Sequence, residues 1–279
     1  MTRRIGILHP GEMGSAVAAS AVNSGVSVYW CEEQRSTTTR QRATRLGLKP
    51  LPTLQAMCAT CEIIISVCPP HAAATQAEAV AACGYKGIYA DINAIAPATA
   101  ITMGTRMEAA GITFVDGGII GLPPTERGTT WLYLSGTSAA VVAGCFNRGP
   151  LETEVLGNDI GQASALKMCF AANSKGSAAL LTAILGAAEA MGVREALERQ
   201  WDIYNPGFTD KTHDRIRQVA RKAWRFTGEM EEIAVTLAAA GTPPDFFTGA
   251  AAVYERQAAF KDADQDPELA TILAAITKK

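Results

Sequence analysis

The 279-residue chain carries 25 Lys and Arg against 27 Asp and Glu, for a formal net charge of −2, and 48% of its residues are hydrophobic. That length and apolar content suffice for one large or two ordinary domains, while no basic block offers a nucleic-acid footprint. No uncharged apolar run of membrane-spanning length occurs, and the first residues read as a strand rather than a signal peptide.

The expected location is therefore cytoplasmic, with no nucleic-acid and no membrane partner. Seven cysteines in a chain of this size do not form a disulfide framework. Cys58-Ala59-Thr60-Cys61 reads as two small residues before a buried strand rather than as a redox pair. The three histidines, His9, His71 and His213, lack metal-ligand spacing, so no metal is expected.

The first element is an apolar strand, Arg4 to Leu8, feeding the turn His9-Pro10-Gly11-Glu12-Met13-Gly14 and an alanine-rich helical pattern. This is the shape of a dinucleotide-binding βα turn. N–H groups opening the helix can face a pyrophosphate, and the helix dipole favours its charge. Gly11 lets the backbone approach the phosphates, and Gly14 lets the helix pack on the strand. The first glycine of the usual G-x-G-x-x-G is His9 here.

A second strand, Val26 to Trp30, ends at Glu32-Glu33-Gln34-Arg35-Ser36. An acidic residue about 20 positions beyond the glycines meets the adenosine ribose in such folds, so Glu32 or Glu33 suits NAD. Arg35 with Ser36 and Thr38 suits the 2′-phosphate of NADP, because guanidinium donors match phosphate oxygens in pairs. The flanking hydroxyls favour NADP, with NAD as the alternative.

A helix over 37–46 follows, then the near-continuous apolar strand Glu62–Val67, as expected for a sheet covered on both faces. It ends at Cys68-Pro69-Pro70. His71 beyond it is read as a helix-capping residue more readily than a catalytic one. Gly87–Ile92 is the next strand, ending at Asn93, and Pro97 suits a helix first turn. Thr113–Asp116 and Thr130–Leu134 complete the strands. This alternation predicts an α/β fold with a doubly wound Rossmann sheet, and it places Pro69, Pro70, Asn93 and Asp116 near the ligand-binding rim.

Beyond Gly157 strand patterns give way to helical ones. The expected domains are 1–158, binding NAD(P), and 159–279, all-helical, for substrate and dimerisation. Ile160 to Met191 reads as one long apolar helix, followed by segments near 194–204, 210–227, 229–240, 245–260 and 267–278. The aromatic residues Trp201, Tyr204, Trp224, Phe246 and Phe247 are read as core or dimer contacts, Glu229, Glu231 and Glu232 as a solvated face, and Arg225–Glu229 as an i,i+4 pair. Lys167 is the only charge between Asp159 and Lys175. The residues alone admit a partly buried lysine with lowered pKa that exchanges a proton with a carbonyl or hydroxyl oxygen. They equally admit a surface lysine whose stem covers apolar neighbours.

Three stations in order resemble the β-hydroxyacid dehydrogenase superfamily, which includes 3-hydroxyisobutyrate and 6-phosphogluconate dehydrogenases. His9 to Gly14 sits where that family has Gly-x-Gly-x-Met-Gly. Phe114-Val115-Asp116-Gly117-Gly118-Ile119-Ile120-Gly121 resembles its substrate segment, and Gly161 to Lys167 the segment of its catalytic lysine. Ser164 to Met168 and Gly228 to Ala234 look closest to a divergent branch with a 6-phosphogluconate dehydrogenase-like C-terminal domain.

The resemblance implies Lys167 as general acid–base, reaching the cofactor from the C-terminal half. It implies the backbone of Gly117, Gly118, Ile119, Ile120 and Gly121 as a seat for a substrate oxyanion. Val67, Cys68 and Pro69 would lie beside the nicotinamide, and Asn93 beside nicotinamide and substrate. A homodimer is implied as well.

The departures bear on the substrate. Ile120 replaces the usual serine, Leu122 a glycine, and Ala171 the asparagine one turn after the lysine, with Asn173 and Lys175 at the wrong spacing to replace it. Pro123, Thr125 and Arg127 read either as substitute contacts, Arg127 as an anion clamp, or equally as a solvated loop. The expected activity is hydride transfer between NAD(P) and a small hydroxy acid or its carbonyl counterpart. The alternatives are an imine reductase on the same scaffold and a nucleotide-binding regulator without catalysis.

Overall fold

The computed structural model describes residues 3–261 and 263–277; position 278, where the last helix was expected to end, lies outside them. β1 (Arg4–Ile7), α1 (Glu12–Asn23), β2 (Ser27–Cys31), α2 (Thr37–Arg45), β3 (Lys49–Leu51), α3 (Leu54–Thr60), β4 (Ile63–Ser66), α4 (Ala73–Ala82), β5 (Ile88–Asp91) and α5 (Pro97–Ala109) alternate along the first part of the chain. β6 (Thr113–Ile120), β7 (Trp131–Ser135), α6 (Ala139–Ala143), β8 (Glu152–Gly157) and α7 (Gln162–Ala171) follow. One eight-stranded sheet has the order β3-β2-β1-β4-β5-β6-β7-β8. All pairs are parallel except β6–β7. This is a Rossmann-like sheet whose order reverses at β1/β4, where ligands bind beyond the strand ends.

Helices cover both faces, so the central strands are apolar throughout. Ile63, Ile64 and Ile65 are fully buried, each worth about 2 kcal/mol of burial. Ile63 and Ile65 belong to the cluster containing Val17, Ala18, Val28 and Leu134, and Ile64 to the opposite one with Met57, Val80, Met103 and Phe114. β3 and β8, absent from the sequence expectation, form the two edges. β3 has three residues including Pro50, and β8 is half polar; neither gives an apolar period, and both suit an edge.

The first compact unit is residues 1–168 and the second 169–279. The boundary thus falls inside the long helix rather than at 158/159. The reason is local: the first turns of α7 are bound to β6 and β7 by the hydrogen bonds described below, and Lys167 therefore belongs to the same unit as the glycine-rich turn.

The second unit is helical. A π turn over Ala172–Gly176 leads into α8 (Ser177–Ala190), followed by α9 (Arg194–Tyr204), α10 (Phe208–Ala220), α11 (Ala223–Ala239), α12 (Asp245–Glu255) and α13 (Leu269–Thr277). The α10–α11 break falls at 221–222, not at Gly228, which lies inside α11 with open space where a Cβ would be. Its core joins Leu185, Ile216, Leu269, Ile272, Leu273 and Ile276. Glu229 is not solvated: it pairs with Lys175, whose ammonium lies 4.5 Å from the Phe226 ring centre. Arg225 instead stacks on Trp224. Among the aromatic residues Phe247 is buried, whereas Tyr204 is 87% exposed.

Helix continues over Gln162–Ala190, 29 residues, long and apolar enough by length and composition to cross a membrane. Lys167 and Lys175 interrupt it, so the sequence shows no uncharged run of that length. Of its most apolar window, 39% is buried.

Gly14 carries the closest approach in the βα turn. A Cβ there would lie 2.1 Å from the His9 carbonyl oxygen and 3.6 Å from Val67 Cβ. A Gly14→Ala variant is expected to lose about 1–3 kcal/mol of stability through this overpacking, read as a lower urea midpoint at unchanged slope.

Candidate functional site

The site is built at the carboxyl ends of β1, β4, β5 and β6. At β1, the Gly11 N–H donates to the His9 carbonyl (2.8 Å), and α1 starts with no side-chain cap. The opening amides of α1 therefore keep their donors and the positive end of its dipole. A Cβ on Gly11 would meet nothing within 4 Å, so the space beside this turn is open to a ligand. Pro10 and Gly14 are buried, Met13 is half-buried and Glu12 is exposed.

At the end of β2 the chain turns through Gln34, whose φ is 56°, a left-handed conformation uncommon outside glycine. Glu32 is held by Arg40: Nη1 donates to its carboxylate (2.9 Å) and Nη2 to its carbonyl (2.8 Å). Arg40 was not singled out in the sequence; its spacing eight residues after an acid gave no signal. Ser36 caps α2, accepting from the Thr39 N–H. Arg35 keeps its Nε buried without a partner, and so does His9 its Nδ1. Burial, with the Arg35 charge second, holds the His9 imidazole down at about 4.

The ends of β4 and β5 are tied by Asn93. Its amide donates to Ser66 Oγ (3.0 Å) and Asp91 Oδ2 (2.8 Å), and its carbonyl oxygen accepts from the Cys68 N–H (2.5 Å). Asn93 is 3% exposed. Its side chain ties the start of the Val67–Pro69 segment to the end of β5. Val67 and Cys68 are half-buried and Pro69 is exposed. Burial pushes the Cys68 thiol up to about 11, which keeps it protonated. His71 is exposed in a short helical turn beyond. All seven cysteines are free thiols, and the described residues hold no cluster of three metal-ligating side chains.

β6 extends to Ile120, so Gly117–Ile120 are strand residues paired antiparallel with β7. β5 stops at Asp91, opposite Asp116. Beyond Asp116, then, one edge of β6 has no strand neighbour. A Cβ on Gly118 would lie 2.7 Å from Lys167 Cβ and 2.9 Å from the Ala163 carbonyl. A strand glycine of this kind marks close approach of another backbone, here α7. Lys167, half-buried, is thereby set over β6 just past the end of β5. Ile119 is buried, Ile120 half-buried and Gly121 exposed. Arg127 pairs with Glu152 at the surface: both its Nε and Nη2 donate to the carboxylate (2.8 and 2.9 Å).

Asp116 anchors α7. Its carboxylate accepts from Ser135 Oγ (3.0 Å), Gly161 N–H (3.0 Å), Ser164 N–H (3.0 Å) and Ser164 Oγ (2.5 Å). It is a positioning residue, fully buried, rather than a group on the open rim.

The family model described as the NAD binding domain of 6-phosphogluconate dehydrogenase matches residues 4–144. The chain belongs to this family. A second model, a domain of unknown function (DUF1932), matches residues 188–257. A 28.5 kDa protein of Methanothermus fervidus is 28% identical over 214 residues, 76% of this chain and 82% of its own. A conserved protein whose structure resembles 3-hydroxyacid dehydrogenases is 28% identical, with a TM-score of 0.68 over 92% of this chain and 98% of its own. The Mycobacterium tuberculosis 3-hydroxyisobutyrate dehydrogenase shares the fold (TM-score 0.72, 16% identity, all of both chains). So does a reductive aminase of Aspergillus terreus (TM-score 0.57, 16% identity, 98% and 99%).

The residues present fit the dinucleotide of this NAD(P)-binding family: the α1 amides lack a side-chain cap, the flank at Gly11 is open, and His9 Nδ1 and Arg35 Nε are buried without partners.

Asp91 gives this family member a pH signature. Complete burial raises its carboxyl to about 7 from an ordinary 3.8, with Asp116 adding to the rise and Asn93 opposing it. The folded state then binds the proton more tightly than the unfolded chain. The stability from this group is fully present below about pH 4 and is lost as pH rises through about 7. His9, depressed from 6.5 to about 4, works the other way: its contribution is present above pH 6.5 and lost on acidification towards 4. The two slopes oppose, so the difference between wild type and Asp91→Asn isolates the first. In urea unfolding at stepped pH, wild type is expected to lose stability relative to Asp91→Asn between about pH 4 and 7. A flat difference means that Asp91 titrates as an ordinary carboxyl.

Proposed function

We propose that the chain is an NADP-dependent oxidoreductase that interconverts a small hydroxy acid and its carbonyl counterpart, with Lys167 as general acid–base. The single observation carrying this reading is the placement of Lys167 against Gly118 at the carboxyl end of the sheet, in the same compact unit as the glycine-rich turn. The nicotinamide supplies the hydride when bound. Lys167 holds the proton that the substrate oxygen needs as negative charge develops on it. The unpaired edge of β6 at Gly117–Ile120 orients an acidic or other anionic group of the substrate. Asn93 holds the Cys68 amide in place, so the β4 end forms a fixed wall rather than a mobile loop. NADP is preferred to NAD in this reading because Arg40 holds Glu32, one of the two acids a ribose diol could use, while Arg35 Nε is buried without a partner.

Imine reduction is the second reading, favoured by the fold shared with reductive aminases. Retention of Lys167 favours carbonyl chemistry. A panel of keto acids, aldehydes and cyclic imines with NADPH and NADH separates the two.

Lys167→Ala is expected to lower turnover at least about 100-fold, the usual scale for losing a general acid–base, while NADPH affinity stays within about twofold. Unchanged turnover removes Lys167 from the chemistry. A wild type that binds cofactor and turns over no carbonyl or imine substrate points to the regulator reading.

A further inference from the structure

The residue in place of the family's first glycine sits in an unusual setting. Ile7 pairs with Trp30, so two residues further His9 emerges beside the turn running from Glu32 to Arg35. His9 Nδ1 and Arg35 Nε are both buried and unpartnered, and the two side chains are close enough that the guanidinium charge acts on the imidazole. Buried polar nitrogens are ordinarily hydrogen-bonded, and these two lack an acceptor on neighbouring strand ends, beyond β1 and beyond β2. Gln34 adopts its left-handed conformation immediately before Arg35, turning the chain at the residue that presents this guanidinium.

We propose that His9 is a cofactor-specificity residue: His9 Nδ1 and Arg35 Nε together seat the phosphate monoester on the adenosine ribose that distinguishes NADP from NAD. The proposal deepens the NADP reading above and rests on it. A phosphate fits this pair better than a ribose diol does. It accepts from both nitrogens at once, and its charge is met by Arg35. The diol is met by a carboxylate acceptor, and Glu32, one of the two acids at this strand end, is already paired with Arg40 at 2.9 Å. The imidazole stays neutral in the free protein, so it does not repel Arg35 before the anion arrives. An anion beside it then favours the form with a proton on Nδ1. A glycine at this position has no donor to offer.

The test is a titration of the full chain with NADPH and NADH, followed by nucleotide fluorescence, with 2′-AMP and 5′-AMP as competing fragments. Wild type is expected to bind NADPH at least about tenfold more tightly than NADH, the scale of one charge-assisted hydrogen bond. In His9→Gly, NADPH and 2′-AMP weaken about tenfold while NADH and 5′-AMP stay within about twofold. His9→Leu keeps the bulk without the donor and is expected to behave the same way, which covers a glycine variant that fails to fold. An unchanged NADPH-to-NADH ratio in both variants overturns the role of His9, as does an equal loss for both cofactors. If Arg35→Ala still abolishes the preference in that case, the NADP reading survives. A wild type with no preference overturns that reading itself.

Discussion

The Asp116 carboxylate is the interaction on which the arrangement of the site depends. It lies at the last residue of β6 that has strands on both sides, and it gathers four donors from β7 and the start of α7. A buried carboxylate is costly to desolvate, and charge-assisted hydrogen bonds offset that cost only when the acceptor sites are filled. Asp116 meets that condition. The consequence is mechanical: the first turn of α7 is tied to β6, and Gly118 lets the helix settle against the strand at Lys167.

Its neighbour Asp91 shows the contrast. The two carboxylates stand opposite one another on adjacent strands. Asp91 accepts from the amide and backbone N–H of Asn93, and burial with the nearby Asp116 raises it to about 7. One acid therefore fixes the proposed proton-transfer residue, while the other fixes the β4–β5 wall and carries the pH sensitivity. Asn93 couples Asp91 to Cys68, so the charge of the buried acid and the position of a backbone amide at the rim belong to one network.

Much of this was legible in the chain itself. The glycine-rich turn, the apolar strands and the shift to helix after Gly157 follow from spacing and periodicity, and they locate the sheet and its rim. Gly14 was readable for its packing role because the strand–turn–helix pattern has a single close approach. Other features depend on distant partners that spacing does not encode. Asp116 looks like a rim residue until Gly161 and Ser164 arrive from 45 and 48 residues away. Gly117 and Gly118 fall outside the apolar strand pattern that ends at Asp116, because the space beside Gly118 is filled by α7 from far along the chain. Arg127 looks free until β8, too polar to show a strand period, brings Glu152 to it. Asn93 and Glu32 were singled out correctly as residues at the rim, but their engagement with Cys68 and Arg40 gave no sequence signal.

The most direct measurement is amide hydrogen exchange at the start of α7 in Asp116→Asn, a substitution that keeps the shape and leaves the amide nitrogen unable to accept. The account predicts that the amides of Gly161 and Ser164 lose at least about tenfold in protection, a factor equivalent to about 1.4 kcal/mol. The amides of β1, β4 and β5 should retain theirs, and so should cofactor affinity. Unchanged protection at Gly161 and Ser164 would contradict it, because α7 would then be held in place by something other than this carboxylate.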